Sequence, residues 1–181
     1  NYRRGSENGD VHCMHRYANL LYEGKGVPEN KKEAAAYYKM AADNKHAPSI
    51  NKYALMLKEG DGIDQNIDEA VKYFELGIEN DSIDSILHYA AMLDNGDGVP
   101  ENKKEAAKLY KKGAELNDPL CSFHYGMKLK NGEGVKKNQK ESINYIRWAA
   151  DKGCIQAITL YSEMLKNGKV YTIKNKNVFD N

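Results

Sequence analysis

The sequence predicts an all-α fold, a right-handed α-solenoid of about four and a half helix–turn–helix repeats of 36 residues each. Three observations predict it: a tyrosine, a pair of glycines and an asparagine each recur every 36 residues, without insertion or deletion. The series are Tyr17, Tyr53, Tyr89, Tyr125 and Tyr161; Gly24, Gly60, Gly96, Gly132 and Gly168; Gly26, Gly62, Gly98 and Gly134; and Asn30, Asn66, Asn102 and Asn138. A fixed period of this length is typical of repeat arrays, whose units bury their apolar faces only against their neighbours.

The third copy shows why the first half of each repeat is predicted to be a helix. Ile86, Tyr89 and Leu93 recur at spacings of three and four residues, which places them on one helical face. Gly96 follows and favours a left-handed C-cap, because it has no Cβ to strain that conformation. Pro100 then interrupts any continuing helix, so the segment between the glycine and the proline is predicted to be a turn.

The second helix of the repeat is predicted to begin after Asn102. The asparagine side chain can accept a hydrogen bond from a free N–H group of the first turn, and Glu105, three residues later, can bond back. The same pair recurs as Asn30/Glu33, Asn66/Glu69 and Asn138/Glu141. Small residues such as Ala106 and Gly113 flank Tyr110 on the apolar stripe, which lets neighbouring helices approach closely.

The repeat register also predicts the boundaries within a single domain. Full repeats are expected at 10–45, 46–81, 82–117 and 118–153, preceded by the end of another repeat at 1–9 and followed by a half repeat at 154–169 and a tail at 170–181. Because residues 1–9 align with the end of a second helix, the chain is expected to be a piece of a longer protein.

The first full copy contains a motif with a recognisable pattern, Tyr17-Ala18-x-x-Leu21-x-x-Gly24-x-Gly26-Val27-Pro28-x-Asn30-x-x-x-Ala34-x-x-Tyr37-Tyr38-x-x-Ala41-Ala42. This motif resembles the Sel1-like repeat, a relative of the tetratricopeptide repeat, and the resemblance covers residues 1–168. It implies an α-solenoid that serves as an adaptor or scaffold for assembling other proteins. The family includes a cysteine-rich branch with a disulfide in each repeat, and the lack of cysteine pairs within these repeats argues against that branch.

Composition argues against several classes of function. The chain carries 27 basic and 26 acidic residues, a net charge of +1, so nothing indicates the basic face that nucleic-acid binding needs. No apolar run approaches the length of about 20 residues that a membrane-spanning helix requires. The three cysteines lie in different repeats, which favours a reducing compartment, and we expect a cytoplasmic protein. No catalytic motif is present, so neither enzyme activity nor a cofactor is expected.

One short cluster leaves a metal site open as an alternative. His12 and His15 are three residues apart on a predicted helix, next to Cys13. Solvated histidines beside a core cysteine are the favoured interpretation, because small residues occupy the register position of Cys13 in the other copies. No metal site is therefore predicted.

The predicted binding residues lie on the first helices, at positions that change class between copies. They are polar in the first and last copies but apolar in the middle ones, where they are Leu55, Leu87, Ala91, Leu120, Phe123 and Met127. Beside them, one position of the first helices forms a row of hydrogen-bond donors, which consists of Arg16, Lys52, His88 and His124. With a pKa of about 6.5, the two histidines would make the binding of acidic partners pH-dependent. Two alternatives remain open. The apolar residues would then only fill the contacts between neighbouring first helices, and the donor row would only face solvent without binding a partner.

These features favour a non-catalytic scaffold or adaptor that binds a partner peptide or helix on its concave face. The alternative is a regulatory or targeting segment of a larger enzyme, such as a protein kinase or a component of a ubiquitin-ligase complex. A protein or peptide partner is expected in both cases, without nucleic acid and without membrane insertion.

Overall fold

A computed structural model describes residues 2–168 and contains ten α-helices and no strand within that range. The helices are α1 Tyr2–Glu7, α2 Val11–Glu23, α3 Lys31–Asp43, α4 Ala47–Glu59, α5 Ile67–Glu79, α6 Ile83–Asn95, α7 Lys103–Glu115, α8 Pro119–Asn131, α9 Gln139–Asp151 and α10 Ile155–Lys166. The predicted all-α array of helix–turn–helix repeats is confirmed. The predicted tail at 170–181 lies outside the described residues.

The chain forms two compact units. Unit 1 comprises Asn1–Met92 and Gly96–Pro100, and unit 2 comprises Leu93–Asn95 and Glu101–Asn181. In unit 1, each helix from α1 to α4 packs against the next one along the chain. In unit 2, α7 packs against α8, α8 against α9, and α9 against α10. Consecutive antiparallel packing is what a short helix–helix connection produces.

The first helix of each full repeat ends as predicted, on a glycine in the left-handed region. At the end of α6, Gly96 has φ 68° and ψ 31°, and its N–H donates to the carbonyl of Met92. Three of the second helices, α3, α5 and α7, end differently, because Lys45, Asp81 and Asn117 take the left-handed conformation there. A residue with a Cβ tolerates this conformation less well than glycine does, so these turns depend more on their tertiary surroundings.

The asparagine caps form as predicted, but their glutamates bond to a different group. Asn30 Oδ1 accepts from the N–H of Glu33 at 3.1 Å, and the Glu33 carboxylate accepts from Asn30 Nδ2 at 2.9 Å. The expected partner of the carboxylate, the Asn30 backbone N–H, instead donates to the carbonyl of Leu21 at 2.8 Å. The same link to the preceding first helix recurs for Asn66, Asn102 and Asn138. Asparagine suits this position because its side chain both accepts and donates.

The recurring tyrosines build the core inside each repeat. Tyr53 of α4 meets Tyr73 of α5 edge to face, with ring centroids 4.8 Å apart, and both are buried. Tyr17/Tyr37 and Tyr125/Tyr145 repeat this pair. Edge-to-face contact suits the charge distribution of the rings and stabilises aromatic pairs beyond the area they bury.

Candidate partner-binding surfaces

The unit 2 part of the predicted apolar patch is Leu120, Phe123 and Met127 on α8. All three side chains are partly buried. They pack against a core cluster from α9, α10 and the turn between them, which consists of Ile146, Ala149, Cys154, Ala157 and Met164. The side chains therefore hold neighbouring helices together and keep a part of their surface open to solvent.

His124 lies beside this patch and is held by aromatic contacts. Its ring stacks on Tyr110, with centroids 4.8 Å apart and an interplanar angle of 20°, and meets Phe123 edge to face at 5.5 Å. Burial lowers the pKa of His124 below the usual histidine value, and the charge of Lys128 lowers it further. The expectation of an ordinary histidine pKa is therefore wrong at His124, because the stacked ring has lost much of the water that would solvate its charge.

The unit 1 part of the predicted patch consists of Leu55, Leu87 and Ala91, with His88 as the donor beside it. All four are partly buried, and Leu55 packs against the unit 1 core. His88 Nδ1 lies 2.7 Å from the carbonyl of Asp84, to which it donates, and the ring stacks on Phe74 with centroids 6.1 Å apart. One of the two ring nitrogens is therefore engaged within its own helix.

A polar pocket of about 290 Å³ lies on the first-helix face of unit 1, and the sequence did not reveal it. Its lining includes His15, Asn19, Tyr38, Asn51, Lys52 and Asp84. Tyr38 donates its hydroxyl to Asn19 Oδ1 at 2.6 Å, whereas Asn51 Oδ1 has no hydrogen-bond partner although only 7% of this residue is exposed. The 36-residue register contains a signal for this pocket, because Asn51 occupies the position that is Leu87 and Phe123 in later copies.

Three histidines meet at one edge of this pocket. His15 Nδ1 and His46 Nδ1 each lie 2.9 Å from the hydroxyl oxygen of Ser49, and the rings of His12 and His46 are 5.0 Å apart. Burial lowers the pKa of His15 to about 4, and repulsion by His46, Arg16, Lys52 and His12 adds to the effect. The expectation of a solvated His15 is therefore wrong, whereas His12 is exposed as expected.

Residues 2–168 hold neither a metal-binding cluster nor a membrane-spanning helix. No group of three or more histidine, cysteine, aspartate or glutamate side chains in this range has an arrangement that could hold a metal ion. None of the helices described has the length and apolar character needed to cross a membrane.

Comparison with known proteins identifies the family. The profile of the Sel1 repeat matches four consecutive segments of the chain, residues 11–46, 47–82, 83–118 and 119–154. This chain belongs to the Sel1 repeat family. Among curated protein sequences, none is significantly similar to it.

Solved Sel1 repeat structures share the fold. A Sel1 repeat protein from Oxalobacter formigenes is 28% identical, with a TM-score of 0.80 over 88% of this chain, and this chain spans 65% of its length. The cysteine-rich protein B of Helicobacter pylori is 25% identical, with a TM-score of 0.59, and the match covers 73% of this chain and 95% of that protein. The three cysteines of this chain, Cys13, Cys121 and Cys154, are free thiols.

The Sel1 repeat register places all the predicted residues on first helices. Leu55 lies on α4 of the second Sel1 repeat, Leu87, His88 and Ala91 lie on α6 of the third, and the remaining four lie on α8 of the fourth. The polar pocket belongs to the first and second Sel1 repeats, with Asp84 contributed by the third.

Proposed function

We propose that this chain is a non-catalytic protein-interaction scaffold that holds a partner peptide or helix on its first-helix face, the concave face in repeats of this kind. One observation supports this proposal most strongly. The core tyrosine recurs unchanged as Tyr17, Tyr53, Tyr89, Tyr125 and Tyr161, whereas another first-helix position changes from His15 through Asn51, Leu87 and Phe123 to Thr159. Packing of the repeat does not require this variation, and recognition of a particular partner does.

Phe123 is the proposed anchor in unit 2. It is a partly exposed aromatic residue on α8 that contacts His124 edge to face and packs against the α9 and α10 core. A rigid aromatic side chain gains contact area at little entropic cost, and such residues dominate many interfaces. The unbranched Met127 adapts to an irregular partner surface.

The test measures the affinity of a purified partner, isolated with this chain as bait, for the wild type and three variants. Phe123→Ala is expected to weaken binding at least tenfold, as truncation of an interface anchor does. The double variant His88→Ala/His124→Ala tests the donor row. Met40→Ala on α3 is the control, because Met40 is 46% exposed and lies on a second helix.

Circular dichroism and unfolding curves of each variant separate lost affinity from lost folding. Full affinity of both Phe123→Ala and the double histidine variant, with weaker binding by Met40→Ala, would place the partner on the second-helix side and contradict the proposal.

A further inference from the structure

We propose that the polar pocket of unit 1 binds the main-chain amide of an extended peptide segment, with Asn51 as the recognition residue. This inference rests on the proposed scaffold function and specifies the conformation of the partner where it meets unit 1. The pocket is separate from the apolar residues that the sequence singled out.

The Asn51 side chain carries a buried acceptor that the fold leaves unpaired. Its Oδ1 has no hydrogen-bond partner, and only 7% of the residue is exposed. A buried acceptor without a donor destabilises the folded chain. The fold does not require asparagine here, because Leu87 and Phe123 occupy the same register position in the next two copies. An unpaired buried acceptor on a residue that lines the pocket indicates a ligand that supplies the missing donor.

The lining of the pocket carries charges of both signs. Lys52 and Asp84 carry opposite charges at the rim, and the carboxylate of Glu23 lies 2.6 Å from the ammonium of Lys25. These charges largely offset one another, so the lining favours a neutral polar ligand over an ion. The amide of Asn51 offers one acceptor and two donor hydrogens, which match the N–H and the C=O of a peptide unit.

An extended ligand suits this pocket better than a helical one. In a helix, all main-chain N–H groups except the first four are bonded internally, so the side of a helix supplies no main-chain donor to Asn51. An extended chain presents its N–H and C=O groups outward. The cavity volume of about 290 Å³ also accommodates a peptide unit with a side chain better than a helix about 10 Å across.

The experiment uses a library of acetylated and amidated heptapeptides of random sequence, selected on the wild-type chain. Dissociation constants of the selected peptides are then measured for the wild type, for Asn51→Leu and for Thr159→Leu. Asn51→Leu introduces the residue that the next copy carries, and Thr159→Leu introduces leucine at the same register position outside the pocket. We expect binding to weaken about tenfold or more in Asn51→Leu, with no change in Thr159→Leu.

A second measurement identifies the bonded atom. Ester substitution replaces each peptide N–H in turn by oxygen, and one position is expected to lose binding to the wild type but not to Asn51→Leu. Asn51→Leu is also expected to unfold at the same or a higher temperature, because it removes an unpaired buried acceptor.

Three results would overturn this inference. The first is equal affinity of the wild type and Asn51→Leu for the selected peptides. The second is a lower unfolding temperature of Asn51→Leu without loss of peptide affinity, and the third is a library that yields no binder. The scaffold function is tested separately by the affinity of Phe123→Ala. Peptides that bind Asn51→Leu normally but fail to bind Phe123→Ala would support the scaffold function and contradict the role of Asn51.

Discussion

The ammonium of Lys128 lies 2.6 Å from Oδ2 of Asp94, although only 7% of the lysine side chain is exposed. The same ammonium lies 2.8 Å from a carboxylate oxygen of Glu133. Lys128 on α8 therefore joins the last turn of α6 to the loop that follows α8. The two carboxylates together compensate the cost of removing the lysine charge from water.

Lys128→Met is expected to lower the free energy of unfolding by about 2–3 kcal/mol, because it leaves the partly buried carboxylate of Asp94 without a counter-charge. Urea denaturation measures the change. Lys130→Met, two residues along the same helix and more exposed, is the control and is expected to cost less than about 0.5 kcal/mol. Equal effects of the two substitutions would show that the ion pair does not stabilise unit 2.

Gly134→Ala is expected to destabilise the chain more than Gly26→Ala, although both glycines occupy the same repeat position with φ of 70° and 74°. Left-handed strain costs each alanine roughly 1–2 kcal/mol. A Cβ at Gly134 would also overlap the backbone carbonyl of Lys103, whereas a Cβ at Gly26 meets nothing within 4 Å. The overlap adds about 1–3 kcal/mol. Thermal or urea unfolding of the two variants side by side decides the matter, and equal losses would contradict the expectation.

Stability is expected to fall between pH 7 and pH 4 because His15 is neutral in the folded chain. Its folded pKa is about 4, below the unfolded value of about 6.5. Its contribution is complete above pH 6.5 and is lost as the pH falls toward 4, because the unfolded chain takes up the proton first. The loss is at most about 3 kcal/mol. His15→Gln should flatten this slope in urea unfolding from pH 7.5 to 4.5, whereas His88→Gln, on α6 outside the cluster, should leave it unchanged.

A second acid-sensitive contribution is expected at lower pH from Asp61. Hydrogen bonds from Lys31 and then Tyr22 lower the pKa of this carboxyl group. A lowered carboxyl pKa stabilises the folded chain above the ordinary value of about 4, and the stabilisation is lost as the pH falls further. Asp61→Asn should remove this part of the acid dependence. Asp64→Asn, an exposed change in the same loop, should retain it; loss of the dependence in Asp64→Asn would rule out Asp61 as its source.

The local contacts of each repeat could be predicted because they lie within a few residues. The Gly96 turn, the Asn102 cap and the apolar stripe through Tyr89 depend on hydrogen bonds and spacings of three to five residues, so residue type and order suffice to predict them. The partner of the cap glutamate could not be predicted. The Asn102 backbone N–H donates to the carbonyl of Leu93, nine residues back, and is therefore not available to the cap glutamate.

The 36-residue repeat by itself determined the helical class and the order of the helices, and the motif of the first full copy carried the resemblance to the Sel1-like repeat. Only the tertiary structure decided which first-helix side chains are engaged and which are open, because their burial depends on a neighbouring copy about 36 residues away. His15 shows this most clearly, since its ring nitrogen contacts the hydroxyl of Ser49 in the next copy. Asn51 differs from Leu87 by one polar group in the sequence, and only the packed helices around it show that its acceptor is buried beside a cavity without a donor.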